Sequence, residues 1–277
     1  MIKQNLKEIK YVLRDFPFDK LEPKDADPIV DLVDSGLKIP LNCIQTWEEN
    51  SFGRTHRASL NRFRSDNRSF RFSLYTADER EEFMQNYWGG TEILEAYQRA
   101  KLGVMKADIF RYCVIYIKGG FYVDIAKKPP KTLMSYLFSN PDLIVFEDAS
   151  SSGIVHSVPE LGIYEILGAK KVLTPLYNSF FASVAGHRFL EILIENISRR
   201  WAYFKEINLK KPRHGVLHLT GPDIFLRSYF DYIMERGTTG GIETVPIFDH
   251  KINLVGSNSR WRKYPSYMDL IDATLFL

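Results

Sequence analysis

The amino-acid sequence predicts an α/β protein with a mostly parallel central sheet and helices on both faces. Two observations carry this prediction. Short apolar runs alternate with helical patterns through the first half of the chain, and an apolar strand near its middle ends on a carboxylate, Asp124. Because 277 residues can bury one sizeable core, we expect a single domain over 1–277, with an N-terminal helix and lead-in loop over 1–36.

The composition narrows the class of protein. A hydrophobic content of 45% with 26% charged residues is typical of a globular chain, and a net charge of +3 is too small to indicate nucleic-acid binding. No stretch approaches the roughly 20 apolar residues of a membrane span. Cys43 and Cys113 fall in apolar segments, so we expect two reduced, buried thiols.

The first half of the chain predicts the order strand, helix, strand, helix. Strands are expected at 41–47 and 70–75, where apolar residues alternate, and helices at 54–66 and 91–100. Thr76 and Glu79 have the spacing of a capping box, which predicts the start of a further helix that ends at Trp88. This alternation favours parallel strands joined by crossover helices.

The stretch from 107 to 126 is the centre of the predicted fold. Apolar residues recur at three- and four-residue steps up to Ile117, which predicts a buried helix on which Asp108 and Arg111 share a face. The Gly119-Gly120 pair ends that helix, because glycine adopts positive φ without a steric penalty. The apolar strand expected at 121–125 then brings Asp124 to the carboxyl edge of the sheet, where such folds bind ligands.

The second half gives weaker signals. A buried strand is expected at 143–146, and Asn178 either ends a strand or contributes to a site. Thr220 has the character of an N-cap for a helix over 224–236. His214 and His218 lie four residues apart, but we expect an extended segment between them and therefore no metal-ligand spacing.

Two motifs carry a resemblance to a known family. The run A-D-x-x-R-Y at 107–112, followed by G-G-x-Y-x-D at 119–124, resembles the DXD sugar-binding region of glycosyltransferase family 32. That family includes α-1,6-mannosyltransferases, α-1,4-galactosyltransferases and, as distant relatives, the glucosylating clostridial toxins. The resemblance implies a GT-A-type nucleotide-diphospho-sugar transferase fold, a UDP- or GDP-linked sugar donor, and Mn²⁺ or Mg²⁺ as the cofactor.

The resemblance also implies roles for individual residues. Asp124 would bind the metal, and Asp108, Arg111 and Asn178 would contact the donor sugar as catalytic residues. The nucleotide and its diphosphate would be bound by Tyr122 of the same run and by residues from three further motifs, namely Gln45, Thr46 and Trp47 at the end of the first strand, Gly221 and Asp223 in T-G-P-D, and Ser259 and Trp261 in S-x-W.

The chain departs from the family at the second acid of the motif, since Asp124-Ile125-Ala126 stands where the family has Asp-x-Asp. In an extended strand, residues 124 and 126 would lie on one face and share a metal. Three interpretations stay open: an enzyme impaired by natural loss of the acid, an introduced Asp-to-Ala substitution, and an inactive protein that binds a nucleotide sugar or a glycan. The otherwise intact motif favours an introduced substitution over natural loss.

The reaction implied by the family is retaining transfer of a sugar to a glycan or lipid-linked acceptor. In the family's front-face transfer no enzyme nucleophile is required and the leaving diphosphate helps to deprotonate the acceptor, and no nucleophile is recognisable in this sequence. Golgi members of the family carry a membrane anchor. Since no such apolar run occurs in this sequence, we expect a cytoplasmic enzyme that can associate peripherally with the inner face of the membrane.

Overall fold

A computed structural model describes residues 15–25, 36–150, 175–209, 212–248, 251–256 and 274–277. The strands are β1 (Asn42–Thr46), β2 (Arg71–Tyr75), β3 (Gly120–Val123), β4 (Leu143–Asp148), β5 (Leu176–Ser183) and β6 (Ile242–Ile247). The helices are α1 (Arg54–Asp66), α2 (Ala77–Trp88), α3 (Glu92–Arg99), α4 (Gly103–Lys118), α5 (Arg188–Phe204), α6 (Pro212–Leu219) and α7 (Pro222–Arg236), with a 3₁₀ turn at Leu133–Tyr136.

The six strands form one sheet in the order β2-β1-β3-β5-β4-β6. The pairs β1–β2, β1–β3 and β4–β6 are parallel, whereas β5 runs antiparallel to both of its neighbours. The mostly parallel sheet predicted from the sequence is therefore confirmed. Since parallel neighbours share an edge for their carboxyl ends, β1 and β3 deliver the residues that follow them to the same side of the molecule.

Alternate residues of the central strands enter two separate hydrophobic clusters. On one face, Ile44, Tyr122 and Phe181 pack against helices α2 to α7. On the other face, Cys43 and Phe121 pack with α1 and the 3₁₀ turn. The prediction of helices on both faces is thus confirmed, because each face has its own helical cover. Cys43 and Cys113 are both buried and not disulfide-bonded, as expected.

Local sequence signals predicted several elements well. Helix α1 has the predicted bounds, and α2 starts with the predicted capping box, in which Thr76 accepts from the Glu79 N–H and Glu79 accepts from the Thr76 N–H. Two predictions were wrong. Residues 212–219 form helix α6 instead of an extended segment, since Pro212 stands in its first turn and a single glycine is tolerated within it. The N-cap of α7 is Gly221, because the Thr220 hydroxyl is used elsewhere.

The α4–β3 junction places the centre of the candidate site. Gly119 ends α4 with a φ of 64°, and Gly120 has a φ of 102°. A Cβ on Gly120 would approach the Asn42 carbonyl oxygen to 2.6 Å, so only glycine lets β3 start this close to β1.

Within the ranges given above, no helix is both long and apolar enough to cross a membrane. The predicted N-terminal helix and lead-in loop over 1–36 fall mostly outside the described residues.

Candidate functional site

Three of the predicted site residues form one ion-paired group. Arg111 Nη2 lies 3.1 Å from Asp108 Oδ1, its partner one helical turn earlier, and 3.1 Å from Asp124 Oδ1, which follows β3. The side chains of Asp108 and Arg111 are each 5% exposed, whereas that of Asp124 is 29% exposed. Asp124 is therefore the member of the group that connects the buried Asp108–Arg111 pair to the surface.

The Arg111 guanidinium is held from several directions. It donates to the Asn178 main-chain oxygen at 2.8 Å and to the Ala107 oxygen at 3.3 Å. Its carbon lies 4.6 Å from the centre of the Tyr122 ring, a cation–π distance. The planar guanidinium is thus locked in place between α4, β3 and β5, and nearly all of its donors are used within the protein.

The Asp108 carboxylate is bound by two neutral groups besides Arg111. Asn178 Nδ2 donates to Oδ1 at 3.2 Å, and the Thr220 hydroxyl donates to Oδ2 at 3.1 Å. The Tyr112 hydroxyl completes the network, since it accepts from Asn178 at 2.9 Å and donates to the Thr220 carbonyl at 2.9 Å. Tyr112 and Thr220 were not predicted as parts of this site, although Tyr112 stands in the A-D-x-x-R-Y run and Thr220 in the T-G-P-D motif.

Burial dominates the electrostatics of this network. It raises the pKa of Asp108 to about 7, against the opposing charge of Arg111, while the nearby charge of Asp124 adds to the rise. Burial acts to lower the pKa of Arg111, but the charges of Asp124 and Asp108 outweigh it, so the net pKa is raised and the guanidinium stays charged. The single positive charge of Arg111 is therefore shared between the carboxylates of Asp108 and Asp124.

The turn after β3 differs from the sequence-based expectation. Strand β3 ends at Val123, and the Lys127 N–H donates to the Asp124 carbonyl at 2.8 Å, which closes a turn over 124–127. The prediction that residues 124 and 126 would lie on one face of an extended strand was therefore wrong. The Tyr122 hydroxyl donates to Asp124 Oδ1 at 2.8 Å, so this oxygen has two partners within the protein.

The donor atoms of this turn do not fit the divalent cation that the resemblance implies. Mn²⁺ and Mg²⁺ require several oxygen ligands, usually including carboxylates. Here Asp124 is the one acid of the motif, Ala126 contributes only a methyl group, and one oxygen of Asp124 is already bonded to Arg111 and Tyr122. Among the described residues, no group of three or more His, Cys, Asp and Glu side chains is arranged to hold a metal ion.

His56 of α1 contacts the main chain of this turn, a role that the sequence did not indicate. Its Nε2 lies 2.8 Å from the carbonyl oxygen of Ile125, and its ring packs edge-on against Phe52 with centroids 5.4 Å apart. Burial lowers the pKa of His56, which favours the neutral ring. The middle residue of Asp124-Ile125-Ala126 is thus fixed to α1.

Of the three residues predicted to bind the nucleotide at the end of β1, two form hydrogen bonds within the protein and the third is half-buried. Gln45 is fully buried and accepts from Arg64 Nη2 at 3.1 Å. The Thr46 hydroxyl donates to the Tyr75 carbonyl at 2.8 Å and accepts from Arg80 at 2.7 Å. Trp47 is half-buried. The described contacts of Gln45 and Thr46 are thus structural, and their nucleotide-binding roles stay predictions, as does that of Trp47.

The remaining predicted residues lie at the start of α7 or beyond the described ranges. Gly221 caps α7, and a Cβ on it would lie 2.9 Å from the Leu217 Cα. Asp223 Oδ2 is 2.8 Å from Nδ1 of His218, whose helical position corrects the expectation of an extended segment. Ser259 and Trp261 lie outside the described residues.

Part of the chain that contains this ion-paired group matches a known protein family. Residues 53–142 match the family described as glycosyltransferase sugar-binding region containing DXD motif. The match includes α4, β3 and the turn after β3, and it therefore contains the Asp108–Arg111–Asp124 group.

Two similar relatives are initiation-specific alpha-1,6-mannosyltransferases. The protein from Candida albicans is 22% identical over 232 residues, which is 79% of this chain and 55% of the relative. The one from Schizosaccharomyces pombe is 30% identical over 149 residues, which is 52% of this chain and 35% of the relative. The chain thus spans about half the length of the first relative and about a third of the second.

Among solved structures, the PaToxG glycosyltransferase matches with a TM-score of 0.48 and 14% identity, over 84% of this chain and 81% of that one. The catalytic domain of alpha-toxin from Clostridium novyi matches with a TM-score of 0.33 and 10% identity, over 73% of this chain and 64% of that one.

Proposed function

We propose that this chain, whose residues 53–142 match the family of DXD-containing glycosyltransferase sugar-binding regions, is a retaining glycosyltransferase. It would transfer a sugar from a UDP- or GDP-linked donor to a glycan or lipid-linked acceptor. One observation carries the proposal. The Asp108–Arg111–Asp124 group lies inside the matched region and reaches the surface at the carboxyl edge of β3, where open α/β sheets bind their ligands.

The network suggests how the chain's own residues would act. Asp124 has the exposed surface needed to accept a hydrogen bond from a hydroxyl of the donor. Arg111 would orient Asp124 and offset negative charge in the site, while Asn178 and Thr220 hold Asp108, which in turn fixes Arg111. These buried residues therefore preorganise the site, and their positions do not change as charge develops on the leaving diphosphate.

In the retaining reaction, the bond between the sugar C1 and the diphosphate oxygen breaks, and the acceptor oxygen bonds to C1 on the same face. Because the acceptor bonds to the face that the diphosphate leaves, the product keeps the α linkage of the donor, and the departing diphosphate takes the acceptor proton. The names of the two relatives state α-1,6-mannosyl transfer, which supports a hexosyl group as the sugar transferred here. The expected setting is the cytoplasm, with peripheral association at the inner face of the membrane.

A second candidate function rests on Ala126. With one acid of the motif absent, the protein would bind a nucleotide sugar or glycan without turning it over. The same buried network would then serve recognition alone. The two candidates differ in transfer and agree in donor binding, so both have to be measured.

The test is a thermal-shift screen of UDP- and GDP-linked sugars, with and without Mn²⁺, followed by transfer assays on any donor that binds. We expect at least one donor to raise the melting temperature, and Asp124→Asn to abolish that rise. Glu82→Gln, an exposed change on α2, is the matched control and should leave the rise intact.

NMR of the anomeric proton then reports the stereochemistry of the product. An α-linked product from an α-linked donor is expected, and a β-linked product would refute the retaining assignment. Donor binding without transfer to any acceptor would favour the binding protein.

A further inference from the structure

The turn after β3 carries a lysine next to the missing acid. Lys127 is half-buried, and its ammonium donates to the side-chain oxygen of Asn253 at 2.6 Å, which is a neutral partner. Burial lowers the pKa of Lys127, and the charge of Asp124 opposes that shift, so the two side chains are electrostatic neighbours. The same turn therefore carries the Lys127 ammonium and, three residues earlier, Asp124, the acid through which the network reaches the surface.

The backbone fixes this lysine as firmly as it fixes Asp124. The Lys127 N–H closes the turn on the Asp124 carbonyl at 2.8 Å. Lys127 also pairs with Asn253 in an antiparallel bridge, and the Leu254 N–H donates to the Ala126 carbonyl at 2.9 Å. Segment 251–256 thus pairs with the turn through main-chain contacts on both Ala126 and Lys127, and the start of the lysine side chain is held in place.

The charge of Lys127 equals the net charge that a divalent cation and the second acid of a DXD motif would supply. A divalent cation and the second carboxylate of a DXD motif together contribute one net positive charge beside a bound diphosphate. Lys127 contributes the same net charge without either group. Arg111 is less suited to the task, because its side chain is 5% exposed and its guanidinium is bonded to Asp108, Asp124 and main-chain oxygens.

We propose that Lys127 binds the diphosphate of the donor directly, so that this chain binds its nucleotide diphosphate without a divalent cation. The proposal rests on the proposed function, since it assumes a nucleotide-diphospho-sugar donor. It assigns a ligand-binding role to a residue that no family motif singles out. It also gives a physical reason for the sequence Asp124-Ile125-Ala126-Lys127, because a second carboxylate at position 126, in addition to Asp124, would offset the positive charge that Lys127 offers to the diphosphate.

The experiment is calorimetric titration of UDP and GDP into the full chain, in EDTA and again in MnCl₂. We expect binding in EDTA, with an affinity that Mn²⁺ changes by less than about threefold. Lys127→Gln should weaken binding of the diphosphate roughly tenfold, which corresponds to about 1.4 kcal/mol. Lys127→Arg should retain most of the affinity, because the positive charge is kept. Lys128→Gln removes an exposed neighbouring charge and is the matched control, with an expected change below about twofold.

Titration of uridine and guanosine separates a phosphate contact from loss of the fold. These nucleosides lack phosphates, so Lys127→Gln should bind whichever of them the wild type binds with unchanged affinity. Binding of the diphosphate that appears only with Mn²⁺, or equal effects of Lys127→Gln and Lys128→Gln, would overturn the role of Lys127 and leave the proposed function standing. Failure of UDP, GDP and their sugars to bind under either condition would refute the proposed function itself.

Discussion

At the scale of single residues, Arg111 is the buried cation with which two carboxylates of the candidate site pair. It is the cation that lies within 3.1 Å of both Asp108 and Asp124, and Asp108 has almost no exposed surface. Removing one partner of a buried pair leaves an uncompensated charge, which costs more than the pair itself contributes. The site and the stability of the fold therefore depend on the same guanidinium.

We predict that Arg111→Met lowers the free energy of unfolding by about 3–5 kcal/mol at neutral pH, because Asp108, whose pKa burial already raises to about 7, must then be buried either as an unpaired charge or with a proton taken up from neutral solution. Urea unfolding followed by circular dichroism measures this change. The control is Arg188→Met, which removes an arginine whose ion pairs with Glu191 and Glu235 are solvent-exposed and should cost far less. Adding Asp108→Asn to Arg111→Met should recover part of the loss, and no recovery would contradict the explanation.

Ala126 allows a prediction about metal dependence. Ala126→Asp adds a second carboxylate beside Asp124, so the variant should bind donor more weakly than wild type in EDTA and gain rate with Mn²⁺. If the recruited metal supplies about 3 kcal/mol of transition-state stabilisation, transfer rises roughly 100-fold. Initial rates with and without Mn²⁺ measure the effect. Equal rates for the two proteins under both conditions would show that a carboxylate at this position does not recruit a metal.

The sequence predicted the residues of this site better than their contacts. Asp108 and Arg111 are neighbours on one helix, so their pairing follows from a three-residue spacing, and Asp124 follows from a strand that ends on an acid. The bond from Thr220 to Asp108 joins residues 112 positions apart. No local pattern encodes such a contact, since it depends on where β5 and α7 lie against α4.

At the scale of elements, prediction succeeded where the signal was local. The capping box of α2 is formed by residues three apart, and α1 has the predicted bounds. It failed where tertiary packing decides the conformation. Strand β3 was expected to continue to Ile125 but ends at Val123, because the chain turns there to meet segment 251–256 and His56. Helix α6 was missed because its short span includes glycine and proline.

Helix α5 carries a pH-dependent cap. His187 Nδ1 accepts a hydrogen bond from the Phe189 N–H at 3.1 Å, which requires an unprotonated Nδ1. Burial lowers the pKa of His187 to about 4, helped by the charge of Arg236 and opposed by that of Asp142. Between this pKa and the ordinary value of 6.5, the folded state binds fewer protons than the unfolded state. The stability contributed by His187 is therefore present above 6.5 and is lost as the pH falls toward 4.

We predict that wild type loses up to about 3 kcal/mol more stability than His187→Asn between about pH 7 and pH 4, since asparagine caps a helix without titrating. His187→Ala should cost about 1 kcal/mol near neutral pH through loss of the cap. Unfolding free energies of the three proteins at both pH values give the comparison. Parallel pH dependence of wild type and His187→Asn would refute the assignment.

At the scale of the whole molecule, the sheet joins the two hydrophobic clusters. Each central strand sends alternate residues to opposite faces, so Cys43 and Ile44, or Phe121 and Tyr122, belong to different clusters while adjacent in sequence. Neither cluster can lose its strands without exposing the other. The ion-paired network adds a polar connection between α4, β3 and β5 at one edge of the same sheet.

We therefore predict that the chain unfolds as one domain, with a single transition for both faces of the sheet. Hydrogen exchange under native conditions is the measurement, because it reports the opening free energy of each strand and helix separately. Amides of α1, which covers one face, and of α4, which covers the other, should reach the same highest opening free energy at low denaturant. Arg111→Met should lower that plateau equally on both faces, since a single cooperative unit shares the cost of a buried charge wherever it is introduced. A lower plateau for α1 than for α4 in the wild type, or a loss confined to α4 in the variant, would show that the two faces open independently and that the single-domain prediction is wrong.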